Sequence, residues 1–481
     1  MITLNLTNSY TYPKTTGESL DTIIQYCTHG IDRYISKYVH NDLGTAISAG
    51  EYKKLSYTRQ QMFHLESKFE PVEYCYYKWN SFPSGWCGPI YQLLKRAKKQ
   101  VSLVDKRIKP LGRKFKTNLP ALRYYQEESV KRAIEKGRGI IKLPTGSGKT
   151  FVMSKIIGEL GLHSLIIVPN LTLLDQTADV LREVFGKDLI GIVGKSEWTP
   201  RTITVATAQT LWSRVNTTAC KALIAQTQVL CFDESHKINK GEEARPNTFF
   251  KLAMRFGNAY YRFGLTATPG EKKTLQRKLL EGVTAGIIHE VPLQELIDKG
   301  YLTNAMIMMK EMPKIEGKFR NWRDAYEVGI LENEIRNRSI AMIAQEEANK
   351  GRSVLIITDE VESQTMILSK MIPEAKILVG SSDKKERQKQ IQDFKNKKQK
   401  ILISTLLSEG FDMRGLEVVI IAGGKKSTRA VCQRVGRALR TETGKKVAII
   451  YDFVDNAQYL KNHSRERIKT YKELGFSINY F

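Results

Sequence analysis

The sequence predicts an α/β protein: two tandem domains, each built on a parallel sheet, preceded by a small α+β N-terminal domain. Three observations carry this. Short apolar runs alternate with helical stretches from about residue 116. The same texture returns from about residue 335. The first 115 residues differ from both, being mixed in pattern and rich in aromatic side chains.

In chain order, residues 1–115 hold strand-like aromatics in "PVEYCYYKWN", a turn at Pro83-Ser84-Gly85 and a helix-like "PIYQLLKRAKK". Lys95 to Lys116 carries ten Lys/Arg against one acid, Asp105. A run of this kind is either a solvated linker or a nucleic-acid contact, and the aromatics beside it keep both readings open. Residues 116–290 form the first α/β block, with the runs "GIIKLP", "SLIIVP", "TITVAT", "QVLCFDES" and "YRFGLTATP". Continuous apolar runs fit strands buried on both faces, as in a parallel sheet covered by helices. "LTLLDQTADVLREVFG", between them, has helical spacing. Residues 291–334 read as a connector with some structure of its own. Residues 335–481 form the second block, with "SVLIITDE", "AKILVG", "KILIST", "EVVIIAGG" and "KVAIIYDF". "KKERQKQIQDFKNKKQK" reads as a solvated amphipathic helix with Ile391 and Phe394 turned inward.

Composition narrows the function classes. Hydrophobic residues make up 41% and charged residues 26%, enough for an ordinary core in each domain. The formal charge of +26 attracts a polyanion, nucleic acid foremost. A merely solvated basic surface is the alternative. The six cysteines form no C-x-x-C pair and no zinc-spaced cluster, as expected of reduced thiols in a cytoplasmic protein. No apolar run approaches the ~20 residues of a membrane span, and the start lacks the pattern of a signal peptide. No membrane partner is expected.

The chemistry concentrates at "LPTGSGKT", residues 143–150. A phosphate loop reads G-x-x-x-x-G-K-[ST], and here Leu143 stands at its opening glycine. The context restores the reading: the loop follows the strand "GIIKL" and opens the helix "TFVMSKIIGEL". Backbone N–H groups and the helix N-terminus then face the phosphates. Thr145, Gly146, Ser147, Gly148, Lys149 and Thr150 form the cradle, with Lys149 as the point charge and the Thr150 hydroxyl for Mg2+. Leu143 falls where the strand is still ending. About eighty residues on, "VLCFDESHK" ends a strand in two acids. Asp233 would hold Mg2+ through water, and Glu234 would orient and deprotonate the attacking water. His236 has no second histidine at helical spacing, which excludes a metalloprotease motif. Upstream, Gln126 in "ALRYYQ" reads either as an adenine-recognising amide or as a surface glutamine.

Taken together and in order, these stretches resemble superfamily-2 helicases and translocases over about residues 120–455. "LRYYQ" looks like the Q-motif, "LPTGSGKT" motif I, "LIIVPNLTLLDQ" motif Ia, "DESH" motif II and "GLTATP" motif III. "ISTLLSEGFD" and "QRVGRALR" look like motifs V and VI. The resemblance implies two RecA-like domains with ATP between them. It implies that Arg437 and Arg440 reach the γ-phosphate from the second domain, with Gln433 and His236 at the same interface. Thr266 and Thr268 would couple closure to the nucleic-acid face. Thr172, Thr207, Gln209, Ser404 and Thr405 would touch the backbone, although hydroxyls near strand ends also serve as helix caps. The segment "KWNSFPSGWCGPIYQLLKRAKKQVSLVDKR" is similar to the small domain of UvsW-type phage helicases, which remodel branched DNA. The resemblance therefore implies an ATP- and Mg2+-dependent monomeric helicase of forked or branched DNA, in a bacterial or phage-infected cytoplasm. An RNA helicase or a duplex translocase with the same core are the rival readings.

Overall fold

A computed structural model describes residues 2–41, 46–47, 63–76, 78–238, 248–270, 274–359, 361–378, 384–405, 416–425 and 447–481. The N-terminal segment comprises β1 (Ile2–Leu6), β2 (Tyr10–Lys14), α1 (Glu18–Cys27), β3 (Thr28–Asn41), β4 (Ala46–Ile47), β5 (Phe63–Cys75), β6 (Phe82–Pro83), α2 (Cys87–Arg96) and β7 (Val101–Asp105). Its main sheet runs β6-β2-β1-β7. β3 and β5 pair as a long antiparallel ribbon, with β4 at its edge.

The first α/β domain contains α3 (Tyr124–Lys136), β8 (Arg138–Lys142), α4 (Lys149–Leu160), β9 (Ser164–Val168), α5 (Leu171–Phe185), β10 (Ile190–Gly194), β11 (Glu197–Thr199), β12 (Ile203–Thr207), β13 (Val229–Asp233), β14 (Tyr261–Thr266), α6 (Leu275–Thr284) and β15 (Ile287–Glu290). Its sheet runs β11-β10-β12-β9-β13-β14-β8-β15, with only β11 antiparallel to its neighbour. β9, β12, β13 and β14 are buried at every position, which is why they read as unbroken apolar runs.

The second sheet uses β16 (Asn304–Glu311), β17 (Val354–Ile357), β18 (Lys376–Leu378), β19 (Ile401–Ser404), β20 (Val418–Ile421), β21 (Val447–Val454) and β22 (Ser477–Tyr480), in the order β18-β19-β17-β20-β21-β16-β22. Helices α7 (Glu334–Asn349) and α8 (Leu460–Glu473) pack on it. One expectation changes here. Within 291–334, read as a connector, β16 pairs with β21 along its whole length and with β22 on its other side. Its alternating burial resembles a half-exposed strand, so it lacks the apolar run that marked the others. The basic stretch Lys384–Lys395 is a helix, with Phe394 buried and Ile391 partly so. No helix among the described residues is long and apolar enough to cross a membrane.

The N-terminal segment is anchored on α6. Trp86 is fully buried, and its Nε1 donates to the Lys278 carbonyl at 2.8 Å. Tyr26 and Tyr76 meet the Trp86 ring edge-on, at 6.0 and 5.9 Å between centroids. Gly85 is required: a Cβ there would lie 1.9 Å from the Glu281 carbonyl oxygen. The basic chain after β7 is also tied down. The Phe115 and Asn118 N–H groups donate to the Gly158 and Val184 carbonyls, at 2.9 Å each.

Candidate nucleotide site and nucleic-acid face

The site forms where three neighbouring strands end. In the order β13-β14-β8, parallel pairing brings Asp233, Thr266 and the loop after Lys142 to one edge. Ligands in parallel α/β sheets bind at such carboxyl ends. Leu143 is fully buried, and its N–H donates to the Thr266 carbonyl at 3.1 Å, so it does continue the strand.

The loop is shaped by its glycines and by α3. Gly146 and Gly148 have φ of +85° and +80°, the left-handed region that suits glycine. A Cβ on Gly148 would lie 2.5 Å from Gln126 Nε2. Gly148 starts α4 without a side-chain cap, so the helix opens with backbone donors facing the loop. Tyr125 Oη and Gln126 Nε2 both donate to the Ser147 carbonyl at 2.8 Å. Gln126 Oε1 accepts from the Arg123 N–H at 2.9 Å. Gln126 is therefore buried and braces the loop, which corrects the surface-glutamine reading. Lys149 Nζ lies 3.4 Å from the Pro144 carbonyl, inside the loop's curl, with Thr145 and Thr150 half-buried beside it. A cradle that a Cβ would fill, an uncapped helix start and a lysine turned into it fit a nucleotide's phosphates.

At the end of β13, Asp233 is buried and its Oδ1 accepts from the Glu234 N–H at 2.9 Å. Glu234 stands at φ +47°, a conformation that costs a non-glycine residue about 1–3 kcal/mol and clusters at functional sites. His236 Nδ1 lies 3.2 Å from Glu234 Oε2 and 3.1 Å from Thr266 Oγ1. Thr266 Oγ1 accepts from the Thr268 N–H at 3.1 Å. The structure thus joins Glu234, His236, Thr266 and Thr268 in one chain of contacts. The chain extends to α6, where Gln276 Nε2 donates to the His236 carbonyl.

The expected nucleic-acid residues divide. Thr207 is buried, and its hydroxyl accepts from the Thr210 N–H to cap the short helix Ala208–Ser213. Ser404 is fully buried, and its hydroxyl donates to the Leu378 carbonyl at 2.7 Å. Both hydroxyls are buried and bonded within the fold. Gln209 is exposed, and Thr172 and Thr405 are half-buried, so these three stay accessible. Gln433, Arg437 and Arg440 lie outside the described residues. Sequence reading missed Arg123 and Tyr301. The Arg123 guanidinium lies 4.7 Å from the Tyr301 ring centroid, and Tyr124 and Tyr125 pack on the same ring beside Gln126. The doublet in "RYYQ" signalled part of this wall, but Tyr301 arrives from beyond β15.

Residues 119–271 match the family described as type III restriction enzyme, res subunit, and residues 335–442 match the helicase conserved C-terminal domain. The chain is 23% identical over 392 residues to the ATP-dependent DNA helicase uvsW of Enterobacteria phage T4, covering 74% of this chain and 76% of that one. This chain is a superfamily-2 helicase related to UvsW. The helicase is also 26% identical over 389 residues to the DNA 3'-5' translocase XPB2 of Sulfurisphaera tokodaii, covering 72% of this chain and 84% of that one. Its fold resembles that of the DNA-bound ATP-dependent type ISP restriction-modification enzyme LlaBIII, with a TM-score of 0.55 at 16% identity, over 82% of this chain and 34% of that one. The helicase hydrolyses ATP, as its paired domains imply, and both sheets are of the RecA-like parallel kind.

Proposed function

We propose that this helicase is an ATP-dependent DNA translocase that unwinds or branch-migrates forked and branched duplex in the cytoplasm. One observation carries the reading: α6 joins the nucleotide site to the N-terminal domain. Gln276 on this helix holds the His236 carbonyl, and two residues on the Lys278 carbonyl holds Trp86. Lys278 Nζ also donates to the Thr28 carbonyl, at the root of the β3–β5 ribbon. Motion around Glu234 is thereby passed to the N-terminal domain. The DNA-acting relatives and the +26 charge support a DNA substrate.

ATP supplies the anhydride whose cleavage drives the cycle, with Mg2+ neutralising its phosphates. In this chain Lys149 holds the β/γ-phosphates, Thr150 and Asp233 the cation, and Glu234 orients the attacking water. Gln126 and the Arg123–Tyr301 wall hold the base. Arg437 and Arg440, with Gln433, complete the site from the second domain, so hydrolysis requires closure. Thr172, Gln209 and Thr405 contact the strand backbone without reading sequence.

Lys149→Ala abolishes ATP hydrolysis while DNA binding persists; normal turnover in a phosphate-release assay would overturn the site. The deciding experiment is an ATPase and unwinding panel over single strand, linear duplex, fork, four-way junction and RNA. The match to the restriction-enzyme family favours a second reading, duplex translocation without strand separation. Triplex displacement with no fork unwinding would select it, and stimulation by RNA alone would sink both.

A further inference from the structure

Trp79 is the least economical residue in the N-terminal domain. It sits at the tip of a two-residue turn closed by reciprocal backbone hydrogen bonds between Lys78 and Ser81, at 2.9 and 3.0 Å. Trp79 and Asn80 both stand in the left-handed region, with φ of 50° and 52°. Such turns select Asn-Gly or Asp-Gly, because a bulky side chain is strained there. Its side chain is nevertheless 85% exposed. Among the described residues no packing repays either the strain or the exposure.

The chain that follows it argues for what covers it. From Lys78 to Lys116 there are eleven Lys/Arg against one acid, Asp105, which is bound to Arg107. Lys95, Arg96 and Lys98, in α2 and just beyond it, are exposed. An exposed aromatic face at the head of a cationic stretch of chain suits a nucleobase and its phosphates: stacking takes the base and the cations take the backbone. The turn is also rigidly placed. Ser84, three residues after the turn closes, donates to the Asn8 carbonyl and accepts from Arg138 Nη1, at 2.9 and 2.8 Å. Trp86 then plugs onto α6, the helix that answers to the nucleotide site.

We propose that Trp79 stacks on an unpaired nucleobase at the DNA branch and holds the strands apart as the helicase advances. This rests on the branched-DNA reading above. The test places 2-aminopurine at the junction of a synthetic fork, or ten base pairs away in a control fork, and follows its fluorescence and strand separation with full-length protein. Wild type quenches the junction probe and leaves the distant one unchanged. Trp79→Ala loses that quenching and unwinds the fork about tenfold more slowly, in line with the loss of one base–aromatic stack. Trp79→Phe recovers part of both. Trp79→Gly relieves the turn, so it melts no lower than wild type while losing fork activity, which separates this role from folding. Trp79→Ala or Trp79→Gly unwinding and quenching like wild type would overturn the stacking role and leave the DNA reading standing. A wild type inert on every DNA would overturn the reading itself, and the stacking role with it.

Discussion

Two regions of the molecule bury arginines by opposite means. In the second α/β domain, Arg467 is fully buried and forms a two-pronged pair with Asp452, at 2.9 and 3.1 Å. Arg336, also fully buried, pairs with Asp455 at 2.8 Å. Burial alone would weaken the hold of Arg467 on its proton, but Asp452 and Asp455 outweigh it and raise its pKa. Between the N-terminal and first α/β domains the arginines lean on neutral groups. Arg262 is fully buried against the carbonyls of Ala253, Phe256 and Ala259 and the Ser9 hydroxyl. Burial pushes its pKa down to about 9. Arg138 is buried against the Asn8 and Tyr260 carbonyls and the Ser84 hydroxyl; burial, then the charge of Arg262, lowers it too.

The difference lies in what each arrangement holds. The carboxylate pairs are internal to one domain and brace the chain just before motif VI: Arg336 and Arg467 also donate to the carbonyls of Ala422 and Gly424. The carbonyl-bound arginines use Asn8, Ser9 and Ser84 from the N-terminal domain, so their satisfaction depends on docking. One set secures a fold and the other a joint.

Two substitutions test this contrast, and a third tests the capping role of Thr207. The largest effect falls on Asp452→Ala, which leaves Arg467 buried with the neutral carbonyls of Phe453 and Gly424 and, at 3.4 Å, the carboxylate of Asp455. Loss of a buried partner costs about 3–5 kcal/mol, read as a lowered urea midpoint. Combining it with Arg467→Met recovers much of the loss, and equal instability in the double variant would break the ion-pair account. Arg262→Met comes next. It strands several carbonyls, at about 1–3 kcal/mol, and loosens the joint. Limited proteolysis between residues 106 and 118 then quickens, and unchanged cleavage would show that Trp86 alone holds the domain. The smallest effect belongs to Thr207→Ala, which removes a helix cap at about 1 kcal/mol and leaves single-strand affinity unchanged. A marked loss of affinity would return Thr207 to the nucleic-acid face.

Legibility in the sequence followed burial and locality. β9, β12, β13 and β14 were legible because strands buried on both faces read as apolar runs. The phosphate loop was legible because its chemistry sits in one short stretch. β16 was not, since a half-exposed strand in a long lead-in lacks that signature. The buried bonding of Thr207 and Ser404 was not legible, because a hydroxyl at a strand end looks alike whether it caps a helix or meets a ligand. The role of Gln126 in bracing Ser147 needed the fold.

By itself, the sequence determined the parallel-sheet class, the loop from Thr145 to Thr150, the acids Asp233 and Glu234, and a charge suited to nucleic acid. All of these depend on local spacing or on totals, which a linear chain carries directly. Tertiary structure alone decided that His236 bridges Glu234 and Thr266, that Tyr301 reaches Arg123, and that Trp86 is buried while Trp79 stands in solvent. Those outcomes depend on which distant backbones meet, and two tryptophans seven residues apart carry no mark of it until the chain has folded.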